Sequence, residues 1–117
     1  MVKTKVREIF LRESKGTFTI FSKQKTAKKE YNFEGISALR QLLSNEKARI
    51  LNVVKYKDVK SIYNLAKILE RPFKAVFDDV KLLQRFGFID LLKEKTKKRI
   101  RHKPVIAVDN VVINIKI

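Results

Sequence analysis

The sequence predicts an α+β fold, with helices in the middle of the chain and strands on both sides. Three observations lead there. Apolar residues recur at helical spacing from Ile36 to Leu83. Before and after that region, "TFTIF", "FIDLL" and "VVINIKI" are short runs rich in β-branched and aromatic residues. Ser44, Ser61, Pro72 and Gly87 stand at the joints between segments, where caps and breaks belong.

"TFTIF" alternates with Phe18 and Ile20 on one face, the two-residue period of a half-buried strand. Glu13, Ser14, Lys15 and Gly16 form the turn after an earlier strand around residues 5–11, giving a hairpin. Val6, Ile9 and Phe10 also fit one helical face, so a helix is the competing assignment there. Residues 22–29, "SKQKTAKK", have no periodicity and read as a basic connector. Residues 1–32 are therefore an N-terminal hairpin or arm, and residues 33–117 the main domain.

Ile36, Leu39, Leu42 and Leu43 share a helical stripe, and Ser44 caps a second helix. In that helix Ala48, Ile50, Leu51 and Val54 make a broad apolar face, which predicts a largely buried element. After the polar connector "YKDVK", Ser61 caps a third helix whose Ile62, Leu65, Ala66 and Leu69 fall at i, i+3, i+4 and i+7. "ERP" breaks it, and Pro72 suits the first position of a fourth helix, where a missing N–H loses nothing. That helix, 72–86, buries Phe73, Val76, Phe77, Val80 and Leu83, and Gly87 closes it in a left-handed conformation. "FIDLL" is a strand, and after Pro104 a second apolar strand region begins at Val105. Asp109 and Asn110 turn the chain before "VVINIKI".

Between the strands lies "KEKTKKRIRHK", residues 93–103, in which seven of eleven residues are Lys or Arg. Helix, helix, short turn, helix, strand, basic loop and strand is the order of a winged helix-turn-helix. The third helix braces the fourth across a tight turn. The polar outer side of the fourth fits a major groove about 12 Å wide. The basic loop then projects beside it as a wing.

The chain has 28 basic and 12 acidic residues, a formal charge of +16. Such a balance draws in polyanions, with nucleic acid the first choice and an acidic protein or a membrane surface the remaining ones. A Lys- and Ile-rich composition alone is the bland explanation. No Cys is present, which excludes disulfides, thiol catalysis and Cys-ligated zinc, and His102 is the only histidine. No cofactor or metal is expected. Lys and Arg interrupt every apolar run well before about 18 residues, so neither a membrane span nor a signal peptide is expected. A cytoplasmic protein follows. The adjacent Asp78 and Asp79 point about 100° apart on a helix and do not converge as a catalytic pair. The expectation is a protein that is not an enzyme, with Asp79 in a structural role near the turn. Only Gly16, Gly35 and Gly87 occur, so no Gly-rich phosphate loop exists.

"SIYNLAKILERPFKAVFDDVKLLQRFGFIDL", residues 61–91, resembles the helix-turn-helix core of prokaryotic winged-helix transcriptional regulators of the MarR/ArsR type, in particular a group of short archaeal and bacterial regulators. Ser61, Leu65, Ala66, Val76, Asp79, Val80, Leu83, Gly87 and Ile89 carry the likeness, which extends more weakly over the rest of residues 33–117. The resemblance implies a homodimer on double-stranded DNA, probing the major groove with its recognition helix and flanking DNA with its wing. On these positions Lys74, Ala75, Phe77, Asp78 and Lys81 would face base edges. Ser61, Tyr63, Arg71 and Arg85 would touch phosphates, and Lys95, Lys97, Lys98, Arg99, Arg101 and Lys103 would form the basic wing. Transcriptional repression is the implied activity.

Glu70, Pro72 and Asp78 depart from the family pattern: the turn often holds Gly, the next helix a polar cap, and the outer face a basic residue. Asp78 pairs with Lys74 or Lys81 on its own helix, or accepts from a cytosine amine. Tyr63 is either the edge of the core or a phosphate contact. Phe73 and Phe77 either pack in the core, as their spacing from Val76 and Val80 favours, or stack on bases in a single-stranded or RNA mode. Two alternatives of other classes stay open. One is a protein-interaction module, antitoxin-like or a transcription-machinery adaptor; the other is a nonspecific architectural or RNA-binding protein.

Overall fold

The structure, a computed structural model, describes residues 5–21 and 36–117. The basic connector at 22–29 lies outside the described residues. The fold is α+β, with four helices and two small sheets among the described residues. None of the described helices is long and apolar enough to cross a membrane. The chain divides into two compact units, the first made of the residues up to Leu43 together with Asp109–Ile117 and the second of Ser44–Val108. The expected division at residues 32 and 33 falls outside the described residues.

In the first unit, β1 (Val6–Ser14) pairs antiparallel with β2 (Thr17–Phe21), with Phe10 opposite Phe21 and Ser14 opposite Thr17. The helical alternative for Val6, Ile9 and Phe10 is thereby excluded. Lys15 and Gly16 both have positive φ, 53° and 83°, as a two-residue turn matched to strand twist requires. The Gly16 N–H also donates to Glu13 Oε2 at 2.9 Å. On the far side of β1 lies β5 (Asn110–Lys116), parallel to it, giving the order β2-β1-β5. Reciprocal bonds start this pairing: Lys5 N–H donates to Asp109 Oδ2 at 3.2 Å, and Asp109 N–H to the Lys5 carbonyl at 2.8 Å. The C-terminal strand thus belongs with the N-terminal hairpin and not with the strands just before it. Helix α1 (Ile36–Leu42) belongs to the same unit and buries Leu39 and Leu42. Leu43 lies past its end and is exposed, contrary to its place on the expected stripe.

The second unit contains α2 (Asn45–Tyr56), α3 (Ile62–Leu69), α4 (Phe73–Arg85) and the antiparallel hairpin of β3 (Ile89–Lys95) and β4 (Ile100–Ile106). Ser44 caps α2 by accepting from the Lys47 N–H, and Ser61 caps α3 by accepting from the Asn64 N–H. Asn64 returns a bond by accepting from the Lys60 N–H at 3.0 Å, so the entry to α3 is held from both sides. Ile62, Leu65, Ala66 and Leu69 are all buried, as the spacing of α3 requires.

Helix α2 is less buried than its composition predicts. Ala48 is exposed, Leu51 and Val54 are half-buried, and Ile50 is its fully buried apolar residue. Pro72 is the residue before α4 and not its first; its φ of −58° and ψ of 141° are extended, and α4 begins at Phe73. Val76, Val80 and Leu83 are fully buried, each contributing about 1.5–3 kcal/mol of transfer free energy. Gly87, at φ 82°, ends α4 while the N–H groups of Gly87 and Phe88 donate to the carbonyls of Gln84 and Leu83.

Candidate nucleic-acid interface

The basic run 93–103 is not a loop. β3 extends to Lys95 and β4 begins at Ile100, so most of its charges stand on paired strands. Glu94 lies opposite Arg101, Lys93 opposite His102 and Lys95 opposite Ile100. Only residues 96–99 turn, and there the Thr96 N–H and hydroxyl both donate to the Arg99 carbonyl, at 2.8 and 3.1 Å. The sequence misses this because the apolar pattern stops at Leu92 while the backbone ladder continues. Lys95, Lys97, Lys98, Arg99 and Arg101 are exposed. Lys103 is held back: its ammonium lies 3.4 Å from Asp58 and its side chain is mostly covered.

Helix α4 presents Lys74, Asp78, Lys81 and Arg85 to solvent, opposite its buried stripe. Lys74 and Asp78 pair at 3.1 Å across one helical turn, both well exposed, so the pair is worth only a few tenths of a kcal/mol. Ala75 is half-buried on the flank of the helix. Arg71 is occupied elsewhere, because its guanidinium lies 3.0 Å from Asp79 while Lys47 reaches the other carboxylate oxygen at 3.3 Å. Lys47, only 8% exposed, Arg71 and Asp79 therefore form a network tying α2, the α3–α4 turn and α4 together. Its Arg71 Nη1 is buried without a hydrogen-bond partner among the described residues. This accounts for Asp79 structurally and gives Arg71, an expected phosphate contact, a carboxylate partner within the fold.

Phe73 departs from its expected place in the core, being 47% exposed; Phe77 is half-buried, and Tyr63, left open between core edge and phosphate contact, is 59% exposed. Their rings form a row, with centroids 6.5 Å apart from Tyr63 to Phe73 and 5.8 Å from Phe73 to Phe77. Ammonium groups border the row. Lys67 stands 4.9 Å from the Tyr63 ring centroid, and Lys74 and Lys81 each 5.8 Å from that of Phe77. Lys67 was not among the expected contacts, although its i+4 spacing from Tyr63 is a signal for it.

The row forms one wall of a groove of about 510 Å³, whose other wall is Arg99, Ile100, Arg101 and His102 of the hairpin, with Lys60 and Ser61 at the entry to α3. Ser61 and Tyr63 thus sit beside the hairpin cations, as do Phe73 and Phe77 of α4. Among the described residues no group of three or more His, Cys, Asp or Glu could hold a metal ion.

A family model, HVO_A0114, matches residues 42–113. That is more than half of the chain. The chain belongs to the HVO_A0114 family. Every side chain of the groove falls within the HVO_A0114 match, as do the Lys47–Asp79–Arg71 network and both strands of the basic hairpin. No curated protein matches the chain.

Proposed function

We propose that this protein is a sequence-specific regulator of transcription that binds double-stranded DNA through a winged helix-turn-helix, α4 serving as the recognition helix and the β3–β4 hairpin as the wing. One observation carries the reading. Phe77 lines the groove together with Arg99 and Arg101, and its ring is also bordered by the ammonium groups of Lys74 and Lys81. The cations of α4 and those of the hairpin therefore gather around one face, where a polyanion meets both. Lys74, Asp78 and Lys81 meet base edges, while Lys97, Lys98, Arg99 and Arg101 follow the backbone. A helix suits the major groove, and each phosphate neutralised adds about −0.9 to the slope of log K against log[salt]. Repression and self-association belong to the same proposal. The exposed Val112 and Ile115 of β5 are apolar surface for a second copy.

The test is selection of genomic duplex fragments by the purified protein at near-physiological salt, followed by Lys81→Ala on the selected site. Enrichment of a defined sequence, weakened by about 1–3 kcal/mol in the variant, is expected. Fragments no better than random duplex would reject specific regulation, and a monomer at micromolar concentration by sedimentation would reject the dimer.

A further inference from the structure

We infer that the groove between the aromatic row and the hairpin is a binding site for a single nucleic-acid strand, whose unpaired bases stack on Phe73 and Tyr63. This goes beyond the duplex reading, with which it shares Arg99 and Arg101, by giving the exposed rings of Phe73 and Tyr63 a ligand of their own.

The inference starts from the exposure of two large rings whose burial nothing in the fold requires. Val76, Val80 and Leu83 already close the inner side of α4, and Ile62, Leu65, Ala66 and Leu69 that of α3. Phe73 and Tyr63 stand outside this core and line the groove. The rings are tilted by 45° between Tyr63 and Phe73 and by 32° between Phe73 and Phe77, so they do not cover one another face to face. Apart from the face of Tyr63 over which Lys67 stands, these exposed rings are platforms for other flat rings.

The charge around them selects the class of ligand. Lys60, Lys67, Arg99 and Arg101 line the groove, and among the described residues no carboxylate does. An apolar peptide would leave four cations unmatched, and an acidic peptide would leave the rings without flat partners. A polynucleotide supplies a phosphate for every base and so satisfies both. A duplex does not fit this role, because its bases are stacked on each other and present only their edges. Their faces reach a side chain only when the strand is unpaired. The volume of about 510 Å³ lies within the range of roughly 300–1,000 Å³ typical of ligand sites.

The full chain is titrated by fluorescence anisotropy with oligo(dT), with oligo(U) and with a duplex, and the titrations are repeated for Phe73→Leu and Phe73→Trp. Leucine keeps the side chain apolar without a ring. Single-strand affinity is expected to fall about tenfold in Phe73→Leu and to be retained in Phe73→Trp, with duplex affinity changed less than twofold. The preferred homopolymer tells whether the strand is DNA or RNA. Photocrosslinking of a 5-bromouracil-bearing oligonucleotide to the unaltered protein is independent of how the variants fold. It should map to Phe73 or Tyr63. Duplex binding without single-strand binding would overturn this inference and leave the proposed regulator standing. Crosslinks confined to residues 96–99, single-strand affinity indifferent to Phe73→Leu, or displacement of the strand by polyglutamate at equal charge would overturn it too. Failure of every nucleic acid to bind would end both readings.

Discussion

Glu70 holds the left-handed conformation, φ 54° and ψ 45°, in which a Cβ costs about 1–2 kcal/mol. The strain closes α3. With Glu70 turned left-handed, its N–H donates to the Lys67 carbonyl and the N–H of Arg71 to that of Ala66. The same turn sends the Arg71 side chain to Asp79, so a strained residue and an ion network are parts of one joint. Replacing Asp79 by Ala would leave Lys47 and Arg71, 10% and 25% exposed in their side chains, without their counter-ion. A loss of about 2–4 kcal/mol is expected in urea unfolding, with the slope unchanged. A loss below about 0.5 kcal/mol, the size of an ordinary surface substitution, would show that the network is decorative. The caps at Ser44 and Ser61 were legible in the sequence because a cap bond spans three residues. The Lys47–Asp79–Arg71 network was not, because its members meet only after three elements have packed.

At the scale of elements, α3 and α4 have the strongest sequence signal, since each buries one narrow stripe and leaves the rest polar. The hairpin is the opposite case. Its distal half carries no apolar alternation, and its strands persist because backbone N–H and C=O groups pair whatever side chains they bear. The exposed cations that the hairpin carries would be neutralised by a bound polyanion. The combined variant Lys97→Ala, Lys98→Ala, Arg99→Ala and Arg101→Ala should therefore weaken binding to all duplex sequences alike. The slope of log K against log[salt] should become shallower by about 0.9 for each lost phosphate contact. An unchanged slope would mean that the hairpin touches no phosphate. Lys103 is left out of the set because Asp58 holds it.

For the whole molecule, a formal charge of +16 on 117 residues makes self-repulsion a global term opposing the folded state. Raising ionic strength shortens the screening length from about 30 Å at 0.01 M to about 8 Å at 0.15 M, so thermal stability should rise across that range before any ligand is added. A melting temperature that falls instead would mean that favourable ion pairs outweigh the repulsion.

Charge, helix spacing, caps and turn residues follow from local chemistry, and they were enough to place four helices, the two hairpins and a cationic surface. Each depends on residues a few positions apart or on a sum over composition. The grouping of β5 with β1, the withdrawal of Arg71 and Lys103 into ion pairs, and the exposure of Phe73 were settled only in the folded molecule. A parallel strand pair gives no signal in its connection when more than ninety residues separate Arg12 from Asn110. Helical spacing cannot tell a ring facing the core from one on the flank beside it, because the difference lies in which neighbouring element arrives to cover it.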